Sequence, residues 1–554
     1  MRRFAAGWGA AALALAWAAS ARAGRHEEFA RKAADGPKMQ VAAATFFGSD
    51  GIEEFVAAEG AAGGGLVAFG NAWGPRFADA PRPEVLGRGR HAGLQPYGAG
   101  KGGKALRPED PDVAGMIVIY SPGLKSIVKV TRFDWGVASI STGAVSRDGK
   151  ALLVAGRCTE AFRGLARAAG AAKSHPAPAP DSRRRRGEPS VGPYAYDGVS
   201  CTGDVYVMRL APTTNRIEWV WVLEGHQTPP ARLWQDDRGA VYFEVHGVTR
   251  VSADGAVLTK LTQKGSGGQV GLRTVDPADG SFFIGGDRNS STGREPWRQP
   301  FLYKFDPTGT KVWTMWEWPS RNLRDGQGSD DGLVSDSSVR ALAVAPGGDL
   351  LIGGWSDGGN SIFTRQPTAI EKPVPQSAFG MSGWGMRGAN SLGYVMRVDP
   401  KTLDVKTWTL WVSYVPDNFQ DPKYRGAPNF ANIENVRVLE DGSVAFQGAA
   451  ATGFIQTPNA FYKDPGDGRK YGGETVAVFS ADLTNLLFSS YLPGCENVVI
   501  GPARGGMVIA SRSRGDDGQT PPTPSPTVAA LQREKRGDYD GHLVLLALPS
   551  GRGR

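Results

Sequence analysis

One pattern recurs seven times along the 554 residues: a short apolar run, a tight turn at Gly or Asp-Gly, and a second apolar run that ends in Gly. It is clearest from Val339 to Gly354, from Val270 to Gly286 and from Val436 to Gly448, and four looser copies begin near Glu53, Ser139, Ala231 and Asn497. A second pair of runs follows most copies. Gly393 to Pro400, Phe301 to Pro307 and Asp204 to Pro212 each lead into an aromatic stretch. Each unit therefore predicts four short strands. Such a unit cannot bury both of its faces alone and must stack on copies of itself, and radial stacking makes a β-propeller. The expected fold is all-β, a propeller of seven four-stranded antiparallel blades.

The blades are expected at 52–133, 137–223, 231–261, 270–318, 339–415, 433–492 and from 497 onward. The seventh has only three strands before the chain ends, the last from His542 to Leu548. The run Gln40 to Phe47 matches the closing strand of blade six, Leu486 to Gly494, and is expected to supply the missing strand. Pairing the two chain ends removes an open sheet edge. The predicted organisation is residues 1–23 as a signal peptide, 24–37 as a flexible segment, one propeller over 38–550, and a tail over 551–554.

The export signal rests on Arg2 and Arg3, an Ala/Leu/Trp run through Ala19, and a small-residue cleavage site ending at Ala23. A secreted or periplasmic protein is the expectation. No later stretch reaches the roughly 18 apolar residues of a spanning helix. Cleavage removes three basic residues, which takes the net charge from +8 to +5. The one dense basic run, Arg183 to Arg186, lies among Pro, Ala and Ser with no interleaved aromatics, which argues against nucleic acid as a partner. An oxidising compartment lets two of the three cysteines pair. Cys158 closes one strand and Cys201 precedes its expected neighbour, so a Cys158–Cys201 bridge is predicted, with Cys495 free and buried.

The units resemble the bacterial seven-bladed β-propeller repeat of large exported proteins. The matching segments are Thr45 to Gly51, Thr457-Pro-Asn-Ala-Phe461 and Tyr491-Leu-Pro-Gly494, and blade six carries the resemblance best. It implies an exported propeller and no defined activity.

Segments between the second and third strands vary most: 72–114, 157–202, 287–299, 355–392, 449–473 and 512–540. In a four-stranded antiparallel blade these insertions open on the same face as the blade-to-blade links, so one face of the disc is decorated and the other keeps tight turns. Binding residues collect on loops held by a rigid scaffold. The ligand-binding candidates are Trp73, Asp287, Asn289, Trp297, Trp355, Asp357, Asn360 and Trp384, because flat rings with amide and carboxylate groups suit sugar hydroxyls. Packing beneath long loops is the competing role for the same residues. The pairs Trp219/Trp221, Trp313/Trp316 and Trp408/Trp411 fall in outer strands and are expected to fill space between blades.

Enzyme motifs lack their contexts. Gly354-Trp-Ser-Asp-Gly358 spells a nucleophile elbow without the following helix, and Gly383 to Gly388 spells a dinucleotide fingerprint inside an insertion. The six histidines include no pair at i, i+4, which disfavours zinc or haem. Asp325, Asp330, Asp331 and Asp336 could hold Ca²⁺ but lack the calcium-loop spacing, and no cofactor is expected. The function expected is therefore a non-catalytic binding or surface-interaction module. It would act as a monomer, with a carbohydrate or an extracellular protein on the insertion face. The alternatives are a hydrolase or lyase with acidic residues at the channel mouth, and a structural envelope component without ligand.

Overall fold

The computed structural model describes residues 28–48, 52–73, 84–86, 113–133, 137–158, 162, 172–175, 204–223, 228–245, 247–261, 270–289, 296–318, 333, 335–358, 360–377, 391–411, 413–414, 428–451, 453–461, 473–492, 495–514 and 539–548. The seven repeats fold as seven four-stranded antiparallel blades of a β-propeller. Blade one holds Ile52–Gly60, Leu66–Trp73, Val113–Tyr120 and Ile127–Phe133. Blade two holds Ala138–Val145, Leu152–Cys158, Asp204–Leu210 and Ile217–Leu223. Blade three is the shortest, with Trp234–Gln235, Val241–Glu244, Val248–Val251 and Val257–Leu261. Blade four holds Val270–Val275, Phe282–Asn289, Arg298–Phe305 and Lys311–Met315. Blade five holds Ser337–Val344, Leu350–Ser356, Leu392–Val398 and Val405–Trp411, and blade six Ala431–Val438, Val444–Ala450, Gly473–Phe479 and Leu486–Tyr491. In blade seven, Cys495–Ala503, Gly506–Arg514 and Tyr539–Ala547 are completed by the N-terminal strand Gln40–Phe47. That strand runs antiparallel to the last, with Gln40 opposite Ala547 and Phe47 opposite Gly541.

The Gly that ends each echo has a mechanical reason. The first, innermost strand of most blades carries a bulge, after Phe55, Ile140, Leu272, Val339, Ile433 and Glu496. An extra residue in one strand bends it and brings its carbonyls against the neighbouring strand. A Cβ at Gly70, Gly156, Gly354 or Gly448 would overlap the carbonyl oxygen of Glu54, Ser139, Ser338 or Asn432, in each case two residues before the bulged position. The repeat therefore needs Gly where the inner strand presses on its partner.

Space between blades is filled as the aromatic content suggests. Trp219, Trp221, Trp408 and Trp411 are buried in outer strands, and Trp316 is buried just past one. Trp411 meets Phe446 edge-on at 4.9 Å, across the gap between blades five and six. Polar side chains also tie consecutive blades together. Asn71 of blade one donates to Ile140 O (2.8 Å) and accepts from Ile140 N (2.7 Å) of blade two.

Three features depart from the sequence expectation. Residues 28–34 are helical, with Phe29 and Ala33 buried in the cluster that contains Trp408, Leu483 and Leu486, where a loose segment was expected. The Ala-, Arg- and Pro-rich insertion of blade two shows no strand pattern in the sequence, yet Ala172–His175 pairs in parallel with Ile217–Leu223. Glu84–Leu86 from the blade-one insertion does the same along Ile127–Phe133. Both insertions thus return to cover an exposed outer edge, a common way to protect one. Cys158 is buried opposite Asp204, while Cys201 lies outside the described residues, as do the proposed signal peptide and the run Arg183 to Arg186. Among the described residues no helix is long and apolar enough to cross a membrane.

Candidate ligand site in the central channel

The inner strands carry charge where they line the central channel, and the charges sort by blade. On one side stand the bulge residues Arg273, Arg340 and Glu434 of blades four, five and six, with Arg232 just ahead of the inner strand of blade three. Arg437 lies further along the same strand as Glu434. Arg273 Nε donates to Gly285 O (2.9 Å) and its Nη1 to Arg340 O (3.0 Å), while Arg232 Nη2 donates to Glu434 O (3.1 Å). Burial, together with the neighbouring Arg437 and Arg273 charges, lowers the Arg232 pKa to about 9. Burial and then Arg340 lower that of Arg273 to about 10.

Carboxylates gather on the other side, where blades six, seven and one meet. Glu54 is buried and accepts from Asn71 Nδ2 (3.1 Å) and Asn497 Nδ2 (3.4 Å), with Arg512 Nη1 at 3.7 Å. Its pKa is raised by burial, and Arg512 opposes that rise. Arg512 Nη2 also donates to Glu496, and its guanidinium stacks over Tyr539 at 4.5 Å. Glu474, at the start of a blade-six strand, accepts from Gln447 Nε2 (2.8 Å). Burial pushes its pKa up to about 7, Gln447 opposes the rise, and Glu434 and Glu496 add to it.

At the tight-turn face the channel opens into a cavity of about 570 Å³ lined by Glu59, Arg147, Arg232, Gln235 and Arg437 among others. Glu59 accepts from Val145 N (2.9 Å), which ties blade one to blade two.

Most of the sequence candidates carry structural contacts. Asp287 accepts from Ser338 Oγ (2.7 Å) and joins blade four to blade five. Asn360 is buried and donates to Ser335 O (2.7 Å) and Ser337 Oγ (2.7 Å). Trp73 is buried at the end of its strand, and Trp355 is buried beneath Arg298 (5.8 Å) and Arg340 (5.9 Å). Asp357 Oδ1 accepts from Ser391 N (2.7 Å), and its own N donates to Asp336 O (2.8 Å). Asn289 and Trp297 are each exposed at the insertion-face rim of blade four, Trp297 at 51%. Trp384, Asp325, Asp330 and Asp331 lie outside the described residues, and Asp336 caps Arg298 N (2.9 Å). Among the described residues no group of three or more His, Cys, Asp or Glu is arranged to hold a metal.

The channel residues were missed because several sit singly within mostly apolar strands, as in Val339-Arg-Ala341. A charged residue at the same repeat position in several blades was the available signal.

No family model and no curated protein matches this chain. Among solved structures it is similar to a protein of unknown function from Dyadobacter fermentans DSM 18053, at 10% identity and TM-score 0.35, covering 92% of this chain and 100% of that one. It is also similar to Chaetomium thermophilum Sqt1 bound to the N-terminus of ribosomal protein L10, at 11% identity and TM-score 0.35, covering 92% and 100%. The Dos1 propeller matches at 8% identity and TM-score 0.34, covering 92% and 95%. Resemblance at this level carries no information on ligand or activity.

Proposed function

We propose that the protein is an exported, monomeric, non-catalytic binding module that holds a carbohydrate on its insertion-bearing face. One observation carries the reading. Trp297 exposes half its surface one residue before Arg298, the cross-strand partner of the exposed Asn289, at the mouth of a rigid strand pair on the face that bears the long insertions. An indole face and an amide match the apolar ring face and the hydroxyls of a sugar. Glycan-array binding of the mature chain tests it, with Trp297→Ala expected to weaken binding at least about tenfold, the loss of roughly 1.4 kcal/mol. Binding to an extracellular protein instead, lost in the same variant, would keep the face and change the ligand class. Retention of all binding in Trp297→Ala overturns the reading.

Export also favours the Cys158–Cys201 bridge. Cys158 ends its strand opposite Asp204, three residues after Cys201. Peptide mapping without reduction should recover this pair, and a Cys495-containing pair would refute it.

A second reading rests on Glu474. A carboxyl held near 7 beside other carboxylates is what a hydrolase or lyase uses as a general acid. Release of products from a polysaccharide panel by the parent chain but not by Glu474→Gln would establish it, and no release by the parent would remove it.

A further inference from the structure

The arginines on the blade-three-to-six side of the channel stand beside carboxylates without pairing to them. Among the described residues, Arg232, Arg273, Arg340 and Arg437 have no carboxylate oxygen within 4.0 Å. The nearby acids are taken by neutral donors. Glu244 accepts from Leu272 N (2.9 Å), Glu59 from Val145 N (2.9 Å), Asp287 from Ser338 Oγ (2.7 Å) and Glu434 from Asn432 Nδ2 (3.0 Å).

A guanidinium offers five donors in a fixed fork. Arg273 uses two on backbone carbonyls, Arg232 one and Arg437 one, the last to Val436 O (3.2 Å). Arg340 makes no hydrogen bond through its side chain among the described residues, and its Nε is buried. A buried donor left without an acceptor is costly, and like charges this close raise the cost. Arg512 shares the unpaired buried Nε, but its Nη atoms are tied to the carboxylates of Glu496 and Glu54. These four are held in place by backbone and aromatic contacts, with most of their donors left for the channel.

We propose that this side of the channel binds a small multivalent oxyanion, a polycarboxylate or a phosphate compound, through the guanidinium forks of Arg232, Arg273 and Arg340. Access is from the tight-turn face. There the cavity of about 570 Å³ reaches Arg232 and Arg437, and that volume falls within the range of small-molecule pockets. Planar forks suit carboxylate and phosphate oxygens, which they can engage two at a time. Because the proposed sugar site lies on the opposite face, the two stand or fall separately.

The test uses the mature chain with citrate, with pyrophosphate, and with chloride at matched ionic strength, followed by thermal unfolding and calorimetric titration. A saturable stabilisation by citrate, pyrophosphate or both is expected, with none from chloride. Response to one anion alone assigns the class. Arg340→Gln and Arg232→Gln should each weaken binding at least about tenfold, the scale of one hydrogen bond to a charged group. Arg216→Gln, at an exposed outer strand, should not. Arg340→Gln should also leave the anion-free melting temperature nearly unchanged, since it removes both the repulsion on Arg273 and the attraction to Glu434; an arginine with only a structural role would lower it. If Arg340→Gln does not fold, Arg340→Lys decides, because it keeps the charge and loses the fork. Absence of saturable stabilisation by either anion, or parental affinity in the Arg340 variant, overturns the proposal.

Discussion

Arg512 and Arg340 line the same channel and live differently. Arg512, where blades six, seven and one meet, pairs with Glu496, stands 3.7 Å from Glu54 and stacks on Tyr539. Arg340, across the channel in blade five, has an indole beneath it and, among the described residues, no hydrogen-bond acceptor. The first sits at the seam where the two chain ends are joined, and its contacts tie that seam. The second sits where the blades are already joined by continuous chain, so its charge is left over for other uses. Position in the ring, and not residue type, separates a structural arginine from a binding one.

The seam side should break hardest. Deleting residues through Phe47 strips blade seven of a strand whose Ala43, Ala44, Phe46 and Phe47 are buried, and exposes the edge from Tyr539 to Ala547. The expected outcome is loss of the cooperative thermal transition or aggregation on heating, read by calorimetry and light scattering. Melting at the parental temperature would contradict the closure.

Next in size is Arg512→Met. Removing one partner of a buried charge group leaves Glu54 and Glu496 uncompensated and should cost about 3–5 kcal/mol in urea unfolding. Arg340→Met, which abandons no paired carboxylate, should change stability by less than about 1 kcal/mol. Equal losses in the two would erase the contrast between the two sides.

A smaller effect should appear on changing pH. An unfolded Glu ionises near 4.5, while Glu474 in the folded chain holds its proton to about 7, chiefly because it is buried. Between those values the folded chain keeps a proton that the unfolded chain has lost. The stability that Glu474 contributes is therefore complete below pH 4.5 and is lost as the pH rises through 7. Denaturation midpoints at pH 5 and pH 8 should differ in that direction, and Glu474→Gln should flatten the difference.

The smallest change should come from deleting 24–37. Its described residues add no strand, but they place Phe29 and Ala33 in a buried cluster, so the melting temperature should fall measurably and by less than for the longer deletion. An unchanged melting temperature would mean that the helix over 28–34 contributes nothing to the fold.

The architecture was legible because it is written as repetition. Seven copies of strand, turn and strand, together with the match between Gln40 to Phe47 and Leu486 to Gly494, lead to a closed ring without knowledge of any single contact. The channel was not legible for the opposite reason. Whether Arg273 faces the axis or the next blade depends on a bulge after Leu272, and a bulge breaks the two-residue alternation on which strand reading relies. The candidates chosen by chemistry met a similar limit. Trp355 and Asn360 have the side chains of a sugar site, but burial gives them to the core, while Trp297 and Asn289 are exposed on the two strands of one pair.

The antiparallel pairing of the chain's two ends also determines how the ring responds to force. Gln40 lies opposite Ala547 at one end of the pair, and Phe47 opposite Gly541 at the other. Tension applied at the two termini first pulls on the docked helix over 28–34, and once that is free it falls on the Gln40–Ala547 end and peels the strands apart one hydrogen bond at a time. A pair loaded in shear would have to break all its bonds together. Held by one end, the propeller feels no load across this joint; stretched between both, it opens there like a clasp, and blade seven yields before the other six.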